Sequence, residues 1–296
     1  MSFVWGFGAI HKLDLSFTNY TVENWRACMK QVEHARDLFA VTCNQCMLTT
    51  EQLNELVATL RFRARHIQVL TLGWLDACGN GLWFETLAET QLRCISIHHA
   101  PGVGAFLDRF SLKLRQMCEL THIALEHNMI QGHNLRRFAS ALSAQKQLQC
   151  LSLAENPLGR NGVEQIVGIL HALPNLRVLN LDRTGVCDAT ADRISLVVQT
   201  HPNIEELHLS GNTSIRTHGW YALATALPYC RKMRVLNLSF TFSYDACLWA
   251  MASALEKNTT LQVFDYTFFG NTSASALEAQ ACISRALTKN TLRARG

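Results

Sequence analysis

Charged residues are scarce in this chain of 296 residues. Asp, Glu, Lys and Arg make up 17% of it, below the share of about a quarter that is usual in globular proteins. The 27 basic and 23 acidic residues leave a formal net charge of +4, and no long run of like charge occurs. So mild an excess does not indicate a site for nucleic acid or for an anionic membrane.

Signals for secretion and membrane insertion are also lacking. Residues 1–10 contain neither a basic segment nor a sustained apolar core, and no stretch of eighteen apolar residues occurs. The eleven cysteines are odd in number and scattered without a disulfide framework, which indicates a reducing compartment. We therefore expect a cytoplasmic protein.

Motifs of catalysis are missing as well. The sequence has no P-loop, no His-Glu-x-x-His, no Gly-x-Ser-x-Gly elbow and no dinucleotide-binding glycine pattern. We therefore predict that the protein is not an enzyme and needs no cofactor.

What the chain does contain is a phrase of nine residues that recurs every 28 residues. It occupies residues 148–156, 176–184 and 204–212, with the sequences LQCLSLAEN, LRVLNLDRT and IEELHLSGN. The fourth and sixth residues are leucine each time, and a strand directs residues two apart to one face. Between the phrases, residues 162–173 place apolar side chains at helical spacing.

This alternation resembles the leucine-rich repeat, and its period is similar to that of the ribonuclease-inhibitor-like subfamily. The resemblance implies an α/β solenoid, a curved horseshoe with a concave parallel sheet of about ten strands and convex helices. It also implies Asn, Cys or Thr at the ninth position, where the side chain hydrogen-bonds the turn. The candidate strands begin at Ile10, Leu38, Ile67, Leu92, Leu120, Leu148, Leu176, Ile204, Met233 and Leu261.

The regular intervals predict a single domain over residues 1–296. Residues 1–9 would cover the first strand, residues 10–287 would hold about ten repeats, and residues 288–296 would form a truncated repeat or tail. The last strand would present an open edge over residues 263–269, and such an edge invites a partner.

The repeat register places the third, fifth, seventh and eighth residues of each phrase on the concave face. Residues at one position of successive repeats form columns, because neighbouring strands lie about 4.8 Å apart. The eighth column has a polar centre with aromatic side chains on both sides, which predicts a surface that binds a protein partner. The predicted partner-binding residues are Trp74, His98, His99, Glu126, His127, Glu155, Asp182, Arg183, Phe240 and Phe268.

Two roles stay open for the aromatic members Trp74, Phe240 and Phe268. Large exposed rings are favoured as interface anchors, but each ring could instead pack on its neighbour. The polar members are expected to pair across strands. The expected pairs are His98 with Glu126, His127 with Glu155, and Glu155 with Arg183.

Zinc binding is an alternative role for the histidines. His98, His99, His122 and His127, with Cys94 and Glu126, are chemically suitable ligands, but outward side chains on a curved sheet should diverge. Cys43 and Cys46 form a Cys-x-x-Cys pair, yet they occupy an inward position and the ninth position of a repeat. We predict no metal. Histidines that are half protonated near neutral pH would make partner binding depend on pH.

The resemblance predicts a non-enzymatic scaffold that binds protein through the concave face and the C-terminal edge. The family includes subunits of cytoplasmic and axonemal assemblies, so the cilium or flagellum and the cytoskeleton are alternative locations. A second possible function is regulation of a small GTPase, resembling the Ran GTPase-activating protein, through Arg160 and Arg183 in loops after the strands. The acidic tail of that protein has no counterpart here. Neither nucleic acid nor a membrane is expected as a partner.

Overall fold

The fold is described from a computed structural model. It describes residues 12–16, 20–34, 39–45, 48–63, 67–74, 90–100, 103–267 and 273–295, without the side chains of residues 31, 34, 61–63 and 103–106. The chain folds into two compact units, unit 1 (residues 1–128) and unit 2 (residues 129–296).

The described residues of unit 1 form five parallel strands that lie in chain order. Residues one repeat apart face each other, so Leu13 lies opposite Val41, Val41 opposite Leu70, and Ile95 opposite Ile123. The strands are β1 (Lys12–Asp14), β2 (Ala40–Cys43), β3 (Val69–Gly73), β4 (Cys94–His98) and β5 (His122–Glu126). The described helices are α1 (Val22–His34), α2 (Thr50–Arg63) and α3 (Val103–Leu114).

The described part of unit 2 forms five more parallel strands in chain order, with a helix after each. The strands are β6 (Cys150–Ser152), β7 (Val178–Asn180), β8 (Glu206–His208), β9 (Val235–Leu238) and β10 (Val263–Tyr266). The α-helices are α4 (Leu135–Leu142), α5 (Gly159–Val167), α6 (Asp188–Thr200), α7 (Thr217–Ala226), α8 (Asp245–Lys257) and α9 (Ala274–Arg295). Short 3₁₀ helices lie at Gly132–Asn134, Leu170–Ala172 and Leu227–Tyr229.

Each unit buries the fourth and sixth residues of its phrases, except that Leu13 on β1 and Tyr266 on β10 are only part-buried. Leu70 and Leu72 in unit 1, and Leu179 and Leu181 in unit 2, are fully buried. In unit 2 the helices supply further buried side chains, among them Trp220 on α7. Alternation along a strand sends these residues toward the helices, as the sequence predicts. The α/β solenoid fold class is confirmed.

An asparagine at the ninth position of the phrase ties its turn to the turn of the preceding repeat. Asn212 is buried, and its Oδ1 accepts hydrogen bonds from the backbone N–H groups of residues 184–186. Its Nδ2 donates to the carbonyl groups of Leu181 and Leu209. In unit 1, Asn128 likewise accepts from the Ala100 N–H. These bonds satisfy backbone groups that would otherwise be buried without partners. Three other ninth residues, Cys46, Leu75 and Phe269, lie outside the described residues.

Helix α9 continues to Arg295. Residues 288–295, expected to form a truncated repeat or tail, are therefore its last turns. Asn290 is buried and donates to the carbonyl groups of Asn258 and Leu261, as Asn258 donates to carbonyl groups one repeat earlier. Among the described residues, neither α9 nor any other helix is long and apolar enough to cross a membrane.

Candidate functional site

The eighth residue of each described phrase has a left-handed backbone. The angle φ is 70° at Gly211 and lies between 52° and 58° at the other seven residues. Their backbone N–H groups hold them in place, since that of Trp74 donates to His98 O at 3.0 Å and that of Glu155 to Asp182 O at 2.8 Å. The sequence predicts the column but not this conformation. The seven residues are Gln45, Trp74, His99, His127, Glu155, Arg183 and Phe240.

In unit 1 the eighth-position rings form a stack. The ring centroids of Trp74 and His99 lie 4.1 Å apart at an interplanar angle of 6°, and those of His99 and His127 lie 4.3 Å apart at 15°. The expectation that outward side chains diverge is therefore wrong for this column. Trp74 still has 45% of its surface exposed, so it packs on a neighbour and also remains accessible.

His98 is held beside this stack. Its Nε2 lies 3.0 Å from Oδ1 of Asn44, and its Nδ1 lies 3.3 Å from Nδ1 of His99. Burial, followed by the charges of His99 and His127, lowers the pKa of His98 to about 4. His98 is thus neutral at pH 7. Because the amide oxygen can only accept, the proton lies on Nε2.

The close fit of His98 depends on Gly73. A Cβ atom on Gly73 would lie 2.1 Å from Cε1 of the His98 ring. Glu126, the predicted partner of His98, lies opposite it in the strand register, whereas the hydrogen bonds of His98 go to Asn44 and His99. The sequence did not predict the roles of Asn44 and Gly73, although both belong to the seventh column.

His122 and Cys94 form a second contact in unit 1. The Cys94 Sγ lies 3.4 Å from the His122 Nδ1, which also contacts the Thr121 hydroxyl at 2.8 Å. Burial lowers the pKa of His122 and raises the pKa of the Cys94 thiol, so both groups favour their neutral forms. Within the described parts of the chain, no three His, Cys, Asp or Glu side chains are grouped so that they could hold a metal ion.

In unit 2 the eighth column contains an ion pair. The Arg183 Nε lies 3.2 Å from the Glu155 Oε1, as predicted. Arg183 crosses Gly211, where a Cβ atom would come within 2.4 Å of the arginine Cγ. Asp182 follows β7, and its Oδ1 accepts a hydrogen bond at 2.6 Å from the N–H of Ser210, which follows β8. The predicted pair of His127 and Glu155 joins residues of different units and stays a prediction.

Arg160, the second arginine of the GTPase hypothesis, is also paired. Its Nε lies 2.9 Å from the Glu164 Oε1, and Arg193 lies 4.0 Å from the other oxygen of that carboxylate. Arg160 and Arg183, the two arginines of the GTPase hypothesis, therefore both have carboxylate partners within the chain.

Phe240 begins an aromatic loop that the sequence analysis only partly found. Its exposed fraction is 54%, and its N–H donates to the Thr267 hydroxyl at 3.1 Å. Phe242 and Tyr244 follow on the same loop, with exposed fractions of 40% and 57%. An aromatic residue at every second position was the available signal. Phe268, the last predicted site residue, lies outside the described residues.

Solved structures with the same architecture identify the fold. The leucine-rich repeat-containing protein LegL7 of Legionella pneumophila matches with a TM-score of 0.54 and 14% identity, over 92% of this chain and 98% of its own. A chain of the complex of Rad7 and Elc1 from yeast matches with a TM-score of 0.53 and 12% identity, over 89% of this chain and 75% of its own. The fold is that of the leucine-rich repeat. No protein-family profile and no curated protein sequence matches the chain.

Proposed function

We propose that this leucine-rich repeat chain is a non-enzymatic scaffold that binds a protein partner through its eighth-position side chains. The observation that carries the proposal is the left-handed backbone at that position. Glycine adopts this conformation freely, whereas other residues incur a cost of about 1 kcal/mol or more. Seven of the eight described residues nevertheless bear larger side chains. Local strain of this kind is typical of binding sites.

The side chains themselves have the character of an interface. Trp74 combines large exposed area with few rotatable bonds, and its stacking on His99 holds the ring in one orientation. Such preorganisation reduces the entropy lost on binding. Phe240 is exposed in the same way in unit 2. We expect Trp74 in unit 1 and Phe240 in unit 2 each to act as an anchor, with the polar eighth-position residues of the same unit selecting the partner.

Three finer statements belong to the same proposal. The period near 28 residues supports a ribonuclease-inhibitor-like subfamily and a single array over residues 1–296. Strand β10, last in the sheet of unit 2, is the proposed C-terminal binding edge. A subunit of a cytoplasmic or axonemal assembly is the proposed setting, and the complex of Rad7 with Elc1 is a precedent in which a chain of this fold occurs with another protein.

The test is a quantitative affinity purification with the Trp74→Ala variant. We expect the partner to bind about 30-fold more weakly, the equivalent of about 2 kcal/mol for an interface anchor. Tyr229→Ala is the matched control, because Tyr229 is an exposed ring outside the eighth column with 62% of its surface accessible. A set of captured proteins that is the same for the wild type and for Trp74→Ala would contradict the proposal.

Regulation of a small GTPase has less support, because Arg160 and Arg183 both pair with carboxylates. An arginine that acts on a bound nucleotide would have to leave its partner first. We expect the chain to leave the rate of GTP hydrolysis by a small GTPase such as Ran unchanged. An accelerated rate that is lost in Arg160→Ala would favour this alternative.

A further inference from the structure

The loop that follows β9 carries three exposed aromatic side chains at alternate positions. Phe240, Phe242 and Tyr244 are exposed, whereas Thr241 and Ser243 between them are almost completely buried. Three exposed rings within five residues of one loop mark an interaction site more often than single exposed residues do. This surface is distinct from the eighth column, because only Phe240 is an eighth residue, whereas Phe242 and Tyr244 follow the nine-residue phrase.

The buried residues of the loop hold it rigid. The Thr241 hydroxyl donates to the Leu238 carbonyl at 2.7 Å and lies 3.0 Å from the Nε1 of Trp220, which donates to it. The Ser243 hydroxyl donates to the Thr267 carbonyl at 3.0 Å. The three rings are therefore presented by a fixed backbone, and ordering them costs a partner little entropy.

Arg216 adds a positive charge to this surface. Its guanidinium carbon lies 5.8 Å from the centroid of the Phe242 ring, and the Phe242 N–H donates to the carbonyl of Ile215 at 3.1 Å. Arg216 is exposed and takes part in no ion pair within the described residues. A guanidinium beside a ring face can still direct its N–H edge to a carboxylate in a bidentate pair.

Asp245, the acidic residue that ends the loop, has a hydrogen-bond partner other than Arg216. Asp245 follows Tyr244, and its Oδ2 accepts a hydrogen bond from the Ser273 hydroxyl. One arginine and one aspartate give these segments no net charge, which does not suit a phosphate backbone. The combination of aromatic rings with one arginine instead matches the residues that dominate protein interfaces.

We infer that Arg216, Phe240, Phe242 and Tyr244 form a docking surface for a protein segment in which a carboxylate side chain is flanked by apolar side chains. The apolar side chains pack on the three rings, and the carboxylate pairs with Arg216. The inference rests on the proposed function, since it names the chemistry of a partner for part of the same scaffold.

A random library of 12-residue peptides displayed on phage tests this inference. We expect the immobilised chain to enrich peptides that contain Asp or Glu between aliphatic or aromatic residues. Labelled enriched peptides should bind about tenfold more weakly to Arg216→Ala and to Phe242→Ala, within the range for interface anchors. Circular dichroism checks that each variant is folded.

Two controls isolate the surface and its charge. Arg231→Glu changes the charge of another exposed arginine in unit 2, and Tyr229→Ala removes another exposed ring, so both should alter binding less than twofold. When the peptide carboxylate is replaced by the amide, Arg216→Ala should cause no further loss.

Three results would overturn the inference. They are the absence of enriched peptides, enrichment of basic peptides, and equal losses for Arg216→Glu and Arg231→Glu. Failure of the peptide test together with loss of a captured partner in Trp74→Ala would leave the scaffold function intact. Failure of both tests would remove the scaffold function as well.

Discussion

The eighth columns of the two units share one backbone conformation but differ in chemistry. In unit 1, Trp74, His99 and His127 stack their rings face to face. In unit 2, Glu155 and Arg183 form an ion pair on a backbone with the same left-handed φ. The repeat therefore determines where these side chains are placed, and the residue type determines how they interact. Added salt should therefore leave the ring contacts of unit 1 unchanged and weaken the ion pair of unit 2.

The largest effect tests what the units have in common. Leu70→Ala in unit 1 and Leu179→Ala in unit 2 should each lower the free energy of unfolding by about 2 to 5 kcal/mol, because each leaves a cavity in a fully buried layer. Urea denaturation measures the loss. Leu196→Ala is the control, since this leucine is 59% exposed. A loss below about 0.5 kcal/mol, typical of surface sites, would mean that the register is wrong.

Gly73 in unit 1 and Gly211 in unit 2 each lie beneath a neighbouring side chain, and alanine should destabilise the chain more at Gly73 than at Gly211. Gly73→Ala should lower the free energy of unfolding by about 1 to 3 kcal/mol, because the half-buried His98 ring must leave Asn44. Gly211→Ala should cost only about 1 kcal/mol, since other residues in this column adopt a left-handed φ of 52° to 58° and the Arg183 side chain can move. Urea denaturation of both variants gives the comparison, and an equal or reversed order would contradict it.

Acid should destabilise unit 1 through His98. Its pKa in the folded chain is about 4, below the usual 6.5, so the unfolded chain binds the proton first as the pH falls. The contribution to stability is complete above pH 6.5 and is lost between pH 6.5 and pH 4. We expect a loss of about 1 to 2 kcal/mol after allowance for solvent screening.

Urea denaturation at pH 7 and pH 5, for the wild type and for His98→Gln, measures this effect. Burial also lowers the pKa values of His122 and His201, so the wild type and the variant both retain their contribution. The difference between the two pH dependences is therefore the part due to His98. Identical dependences would show that His98 does not contribute.

The smallest effect concerns the pairs within each column. A double-mutant cycle on Glu155 and Arg183 should give a coupling of about 0.2 to 1 kcal/mol that shrinks in 1 M salt, because both side chains are partly exposed. The cycle on Trp74 and His99 should give about 0.5 to 1.5 kcal/mol, as for aromatic pairs, without dependence on salt. A salt-sensitive ring pair would contradict the contrast between the units.

Sequence periodicity was sufficient to predict the strands and the buried layers. Leucines two residues apart, as at Leu179 and Leu181, can only reach one core, and an asparagine at the ninth position recurs because the turn needs its hydrogen bonds. The pair of Glu155 and Arg183 also followed from the register alone. A single domain over residues 1–296 stays a prediction.

The side-chain geometry of the site did not follow from the register. The left-handed φ of the eighth residue brings the rings of unit 1 together, although divergence was expected. Asn44 and His98 are 54 residues apart, so no local pattern reveals their contact. The aromatic loop was only partly found because Phe242 and Tyr244 lie beyond the nine-residue phrase.

The sequence by itself determined the repeat, the face of the strand to which each side chain points, and the buried layers. These features depend on a period of two residues along a strand and a period of about 28 residues along the chain. Only the tertiary structure decided which surface groups touch. Those contacts depend on backbone turns and on rotamers packed between repeats, as where His98 lies over Gly73 and Arg183 over Gly211.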